Sequence, residues 1–270
     1  MEKAILYKIL QRRFKYRNPT HLTELPSNFI YSKEDYLSAR QYILNLSLLQ
    51  ISFCHPEHQL YPRQLLRMKE PPLFFEYIGE ALWMECPFLA VVGSREISPL
   101  TESWMKSNLP PFIQATGAGI VSGGARGVDQ LAHQISIKEG APTVFVLPSG
   151  LLHLYPDNLD KFKNLIATEK ICFFSEFEIN QKLNKSHFYF RNRTIAAFGN
   201  LTLVTQASLK SGSLLTVHHS LEIGRRVTTV PSHPEITAFA GNLKILQEGA
   251  ERSIDFRELH VLWKEESCSN

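Results

Sequence analysis

The spacing of hydrophobic positions changes along the chain, and the changes divide it. In residues 1–50, Ile5, Ile9 and Leu10, then Tyr36, Ala39, Ile43 and Leu46, recur every three or four positions, with Leu37, Leu44 and Leu48 beside them. That spacing predicts helices and a small all-α unit. Between them Pro19, Pro26 and Asn28 mark a turn-like segment. From 51 to 86 the pattern is mixed. A short strand near Ile51–Cys54, a Tyr61-Pro62 turn, a short helix around Gln64–Lys69 and an apolar stretch from Leu73 to Ile78 predict a connector that joins the core sheet. Pro71-Pro72 forbids a continuous helix there, and Gly79 ends the stretch.

A different grammar starts at residue 87. Phe88–Val92 is an uninterrupted apolar run, as in a strand buried on both faces of a parallel sheet. It meets Gly93-Ser94-Arg95, and Ser98-Pro99 then supplies an N-cap and a proline for the first helical position. The alternation repeats. Strand 120–122 leads to helix 128–139, Thr143–Leu147 to the Pro148-Ser149-Gly150 turn, and Ile171–Phe174 to Ser175-Glu176. Leu201–Thr205 is followed by Lys210–Ser213 and a helix bearing Leu214, Val217 and Leu221, which Gly224 closes before a last strand, Val227–Val230. Alternation of this kind, over residues 87–250, predicts an α/β fold with a doubly wound, mostly parallel sheet and right-handed crossovers. Residues 251–270 are expected to add a terminal helix or strand and a frayed, acidic tail.

In open α/β sheets the ligand crevice lies beyond the carboxyl ends of the strands. Those ends carry small-residue turns here. In residues 120–133, IVSGGARGVDQLAH, a strand passes through Gly123, Gly124 and Gly127 into a helix. Such a junction aims N–H groups and a helix dipole at one point, as an anion cradle does, and Arg126 adds a charge. A tight turn with a surface arginine is the alternative. Gly93, Ser94 and Arg95 point to phosphate, Arg95 paired with a carboxylate such as Asp129 being the other reading. Lys210, Ser211, Gly212 and Ser213 invite the same argument, or serve as a plain helix cap. Phe188-Tyr189-Phe190-Arg191-Asn192-Arg193 suits a polynucleotide whose bases stack while its phosphates are neutralised. In a regular helix residues two apart point about 200° away from each other. Arg191 and Arg193 therefore divide their roles, one binding and one structural.

Bulk properties narrow the function classes. With 44% hydrophobic and 20% charged residues the composition is that of an ordinary globular protein. A net charge of +3 permits a polyanionic partner without requiring one. The basic run Arg12, Arg13, Lys15, Arg17 reads as a solvated helix face or a contact for an acidic partner. Cys54, Cys86, Cys172 and Cys268 show neither CxxC nor zinc spacing, which predicts free thiols in a reducing compartment and no metal. The first residues lack a signal-peptide layout and no window approaches ~18 apolar residues, so a cytoplasmic protein without a membrane partner is expected. No GxSxG, Walker lysine motif, HExxH or spaced GxGxxG occurs. His133, His153, His187, His218 and His219 are dispersed, and Asp129 and Glu176 read as helix-start or rim acids. No catalytic residue and no cofactor are expected.

The ordered set VVGSR, IVSGGARGVD, Tyr155-Pro156, Ser175-Glu176, FRNRTIA, SGSLLT and GRRVTTVP, spread over about residues 50 to 250, resembles the DNA-processing protein A family, DprA, also called Smf. The resemblance implies an extended Rossmann-like domain that binds single-stranded DNA without catalytic turnover. It also implies protection of incoming strands in natural transformation, loading of the RecA recombinase onto them, and a homodimer formed through that domain. Carried over, the DNA-binding residues fall on Gly93, Ser94 and Arg95 with Ser98, on Gly123, Gly124, Arg126 and Gly127, on Phe190, Arg191 and Arg193, and on Lys210 to Ser213 with Thr216 nearby. The chain departs from the pattern at Asp157, where a basic residue is common and Lys161 or Lys163 would have to substitute, at Gln206 for glutamate and at Ser232 for glycine. No winged-helix domain is expected in residues 251–270, and the first 50 residues resemble the family's small SAM-like unit. Two other classes are weighed, a Rossmann-like nucleotide phosphoribohydrolase and a small-nucleotide sensor. The hydrolase needs a catalytic glutamate near a helix start where this chain has Thr216 and Val217.

Overall fold

Two helices open the computed structural model, α1 (Glu2–Arg13) and α2 (Lys33–Leu48). The structure describes residues 1–15, 24–26 and 29–268; Arg17, Pro19, Asn28 and the side chain of Cys268 lie outside the described residues. Ser32 starts α2 with a capping box, its hydroxyl accepting from Asp35 N at 3.0 Å while the Asp35 carboxylate accepts from Ser32 N. Two short strands follow, β1 (Ser52–Cys54) and β2 (Phe75–Ile78). Between them the helix expected near Gln64–Lys69 is a single 3-10 turn at Arg63–Arg67, confined between Pro62 and Pro71.

The alternation then runs β3 (Phe88–Val92), α3 (Pro99–Thr116), β4 (Gly119–Ser122), α4 (Val128–Lys138), β5 (Thr143–Val146), α5 (Asp160–Lys163), β6 (Ile171–Ser175), α6 (His187–Phe198), β7 (Gly199–Val204), α7 (Ser213–Glu222), β8 (Val227–Thr229), α8 (Ala240–Gln247), β9 (Glu251–Arg252) and α9 (Phe256–Cys268). Among the described residues these strands form one nine-stranded sheet in the order β1-β2-β6-β5-β4-β3-β7-β8-β9. Pairing is parallel from β6 to β9, and β1 and β2 add antiparallel at one edge. The doubly wound, mostly parallel sheet expected from the alternation is therefore present. From β3 the chain walks outward through β4, β5 and β6, then crosses back to lay β7 on the other side of β3. That reversal between β3 and β7 is the topological switch point.

Side-chain alternation divides the core. Leu89 and Val91 face Met105, Leu109 and Phe112 of α3, Val128 and Ala132 of α4, and Leu259 and Trp263 of α9. Ala90 and Val92 face Ile195 and Phe198 of α6, Val217 of α7 and Ile245 of α8, together with Tyr61, Leu65 and Trp83 of the connector. At the β5–β6 end, Phe145 and Phe173 pack under Ile5, Ile9, Ile43 and Leu46, so α1 and α2 share a core with the sheet. Cys54, Cys86 and Cys172 are free thiols, and no described helix is long and apolar enough to cross a membrane.

A buried polar cluster fastens α1 to the sheet. Lys8 is fully buried, its ammonium 2.8 Å from Gln11 Oε1, 3.3 Å from Glu76 Oε1 and 4.1 Å above the Tyr42 ring. Tyr42 donates to the same Glu76 oxygen at 2.5 Å. Burial pushes the Glu76 carboxyl up to about 7, against the opposing pull of Lys8. Between the ordinary glutamate pKa of about 4.5 and 7, folding takes up a proton at Glu76. Its contribution to stability is complete below that window and is lost as pH rises through it. Glu76→Gln removes this slope, so the variant's stability relative to the parent chain should rise between pH 4.5 and 7, as read by urea unfolding across that range; a flat difference would refute the assignment.

Candidate nucleic-acid interface

The turns leaving β3 and β7 enclose a cleft of about 460 Å³ at the switch point. Gly93 opens the first turn because a Cβ there would stand 2.7 Å from Val128 Cγ2. Ser94 N donates to the Gln206 carbonyl at 2.8 Å, and the Ser94 carbonyl accepts from Val128 N at 3.1 Å. The Gln206 side chain locks the rest of the loop. Its Oε1 accepts from Ser98 N at 2.9 Å and from the Thr101 hydroxyl at 2.8 Å, while its Nε2 donates to the Glu96 carbonyl at 3.0 Å. An amide supplies both polarities, which a carboxylate cannot. Ser98 caps α3 behind the loop, its hydroxyl accepting from Thr101 N at 3.2 Å, while Arg95 lines the cleft with an exposed side chain.

The glycine turn after β4 has a different arrangement from the one its sequence suggests. Its N–H groups are turned on the chain's own Asp129 carboxylate, which accepts from Ala125 N at 3.2 Å and from the Gly123 backbone. Its glycines permit close packing. A Cβ on Gly123 would overlap the Arg191 guanidinium, one on Gly127 would overlap the Ser94 and Arg95 carbonyls, and one on Gly124 would press on Phe145 and Leu159. Arg126 is exposed and does not line the cleft. The partner of Asp129 is Arg191, Nη1 to Oδ2 3.8 Å, with both side chains more than nine-tenths buried. Burial raises the Asp129 carboxyl above its ordinary range against the opposing Arg191 charge, and lowers the Arg191 guanidinium against Asp129.

Helix α6 presents two faces. Phe188, Arg191 and Asn192 line the cleft, whereas Tyr189, Phe190 and Arg193 line a separate groove. Arg193 donates to Glu176 at 2.7 Å and to the Glu70 carbonyl, and the Thr194 hydroxyl also donates to Glu176, so these residues bind α6 to the end of β6. Phe190 lies under the Arg193 guanidinium at 5.1 Å, away from the cleft. Phe188 takes the place that the sequence suggested for Phe190. Its ring centroid is 5.6 Å from the Arg95 guanidinium and 5.5 Å from that of Arg191, and Tyr155 stands edge-on to it at 6.0 Å. The helical arithmetic that separates Arg191 from Arg193 also sets Phe188 with Arg191 and Phe190 with Arg193, three residues apart. Phe188 was thus findable, whereas Asn192 and Ser208 carry no sequence signal for their place in the lining.

The opposite wall is the start of α7. Ser211, Gly212 and Ser213 line it, with the Ser211 and Ser213 hydroxyls 2.5 Å apart and Asn192 Nδ2 donating to the Gly212 carbonyl at 3.3 Å. Lys210 is exposed beside it but outside the lining. Asp157, Lys161 and Lys163 are likewise outside. Among the described residues no group of three side chains is placed to hold a metal ion.

The sequence profile of a family described as DNA recombination-mediator protein A matches residues 52–263, from the first residue of β1 into α9. The chain belongs to the DNA recombination-mediator protein A family. Relatives of this recombination-mediator family include Protein Smf of Synechocystis sp., 31% identical over 203 residues that are 74% of this chain and 50% of that protein. DNA processing protein DprA of Streptococcus pneumoniae is 32% identical over 193 residues, 71% of this chain and 67% of that one. The match thus spans half to two-thirds of these relatives' length. The X-ray structure of the Streptococcus pneumoniae DprA shares the fold, with a TM-score of 0.74 at 24% identity over 95% of this chain and 92% of that chain. DprA of Helicobacter pylori, described for its single-stranded DNA binding mode, aligns with a TM-score of 0.70 at 25% identity over 80% and 97% of the two chains.

The fit of Gly123 against Arg191 in this recombination-mediator fold has a measurable consequence. Gly123→Ala should cost about 2–3 kcal/mol of unfolding free energy by evicting the guanidinium from Asp129. In an Arg191→Ala background the same substitution should cost under about 1 kcal/mol, because the atoms it would strike are gone. Equal costs in both backgrounds, measured by denaturant unfolding, would exclude this contact as the cause.

Proposed function

We propose that the switch-point cleft binds single-stranded DNA and that the protein acts on that strand without turning it over. The observation that carries this reading is the pair of guanidiniums, Arg95 and Arg191, flanking the Phe188 ring in an open cleft opposite the start of α7. Fixed cations and a positive helix end suit phosphates, and an aromatic ring between them suits a base. The relatives' names and the binding mode described for the Helicobacter pylori protein point the same way.

A non-catalytic role fits the state of the rim carboxylates. Asp129 is engaged by turn N–H groups and Arg191, and Glu176 by Arg193 and Thr194. A general acid or base needs a carboxyl that can reach substrate and exchange a proton. Asp129 and Glu176 are spent on structure, which leaves Glu96, an exposed carboxylate in the cleft lining, as the acid a catalytic reading would have to use. The start of α7, with Thr216 in the lining, offers no acid, which disfavours a phosphoribohydrolase. On the family likeness we extend the reading to protection of incoming strands in natural transformation, loading of the RecA recombinase in the cytoplasm, and a homodimeric assembly.

Arg95→Glu should weaken binding of a labelled single-stranded oligonucleotide about tenfold at low salt and flatten the log affinity against log salt slope by about 0.7. Thermal stability should be nearly unchanged, since Arg95 is exposed. Fluorescence anisotropy across a salt series reads both quantities. Unchanged affinity would remove the cleft from the DNA-binding surface. Stronger competition by a mononucleotide than by the same concentration of oligonucleotide sites would instead favour a small-nucleotide sensor.

A further inference from the structure

The other face of α6 borders a second groove, of about 720 Å³, that the cleft does not use. It lies between the start of α6, the far part of α7 and the connector segment 67–70, with Tyr189, Phe190 and Arg193 on one side and His219 and Glu222 on the other. We propose that this groove receives a nucleobase splayed from the strand whose phosphates occupy the switch-point cleft, an inference that rests on the cleft reading above.

Position makes the connection. Phe188 and Tyr189 are neighbours in sequence but face opposite sides of the first turn of α6, Phe188 into the cleft and Tyr189 into the groove. A strand passing from one to the other has to round the first turn of α6, a helix about 10 Å across with its side chains, a span of roughly one or two nucleotides of extended strand. A strand held by its backbone leaves its bases free to turn outward onto such surfaces.

Chemistry selects a base over a phosphate. The groove's charges are mixed. Arg67 and Lys69 line it together with Glu70 and Glu222, and the Arg193 charge is already met by Glu176 at 2.7 Å. Such a wall has no surplus cation for an anion, but offers donors and acceptors side by side, the pattern that a base edge displays. Burial lowers the His219 imidazole below its ordinary pKa, favouring the neutral ring, which donates at one nitrogen and accepts at the other. Two polar atoms on residues of this wall, His219 Nε2 and Arg193 Nε, have no hydrogen-bond partner and are closed to solvent, so a base reaches them only if the imidazole or guanidinium turns outward. Buried polar atoms left in this state are uncommon and call for a partner.

Stacking surface is supplied by Tyr189. It is 50% exposed although aromatic, standing edge-on to His219 at 4.7 Å and to Phe190 at 5.8 Å. Phe190 is unavailable for stacking on the face that Arg193 covers at 5.1 Å. Tyr189 is therefore the ring on which an incoming base would rest.

The test compares an ordinary single-stranded oligonucleotide with one of equal length whose residues are abasic, by fluorescence anisotropy, on the parent chain and on Tyr189→Ala, Tyr189→Phe and Arg95→Glu. Tyr189→Ala should weaken the base-bearing strand about fivefold, the low end of what one stacked base supplies. It should leave the abasic strand's affinity unchanged, which also shows the variant to be folded, and Tyr189→Phe should restore the loss. Equal loss on both strands, or no loss on either, would overturn the proposal and leave the groove to another occupant, such as an aromatic side chain of a protein partner. Arg95→Glu reports on the cleft separately. If it leaves both strands unaffected, the cleft reading fails, while a base-dependent loss at Tyr189 would still uphold the groove.

Discussion

The buried pairing of Arg191 with Asp129 is the constraint on which the switch-point architecture depends. Two charges taken out of water cost several kcal/mol each before their attraction is counted, so such a pair persists only where the surroundings hold it. Here the surroundings come from the turn after β4 and from α6. The turn after β4 contributes N–H groups to Asp129, α6 contributes the guanidinium, and Gly123 leaves the volume that the guanidinium fills. The separation of 3.8 Å is long for an ion pair, and Arg191 Nε has no partner at all. The arginine is thus anchored at its inner side while it still lines the cleft.

Much of this architecture is legible in the residues. The apolar run Phe88–Val92 and the later strand-turn-helix repeats specify a parallel sheet, and a parallel sheet specifies where its crevice lies. Gly93, Ser94, Arg95, Arg191 and the serine turn before α7 all meet there. What the residues do not disclose is which groups are already satisfied. A glycine turn with free N–H groups and one whose N–H groups face a carboxylate four residues on have the same sequence. Only the fold shows that Asp129 turns back onto Gly123 and Ala125. Helix phase, by contrast, is in the spacing. Phe190 and Arg193 share the chemistry of Phe188 and Arg191 but lie on the other side of α6, where Arg193 serves Glu176.

The N-terminal helices add a separate lesson about burial. Lys8 in α1 would be read from its sequence as a solvated charge, yet it is fully enclosed between Gln11, Glu76 and the rings of Tyr42 and Phe74. Its long methylene stem and a shared proton economy with Glu76 make that possible. Glu76 as its partner is not apparent from hydrophobic spacing, because it sits on β2, a strand of the connector that lies between β1 and β6.

Gln206 sets how the cleft responds to its medium. The loop that presents Ser94 and Arg95 is fastened by an amide, through hydrogen bonds to Ser98, Thr101 and Glu96 and with no net charge. An uncharged fastening does not titrate and is scarcely screened by ions. This fastening therefore does not change with acidity or ionic strength, and it adds no charge of its own to those of Asp129 and Glu96 in the lining. Under the proposed reading, a change in affinity with salt then reports on the strand and its counterions, not on this fastening.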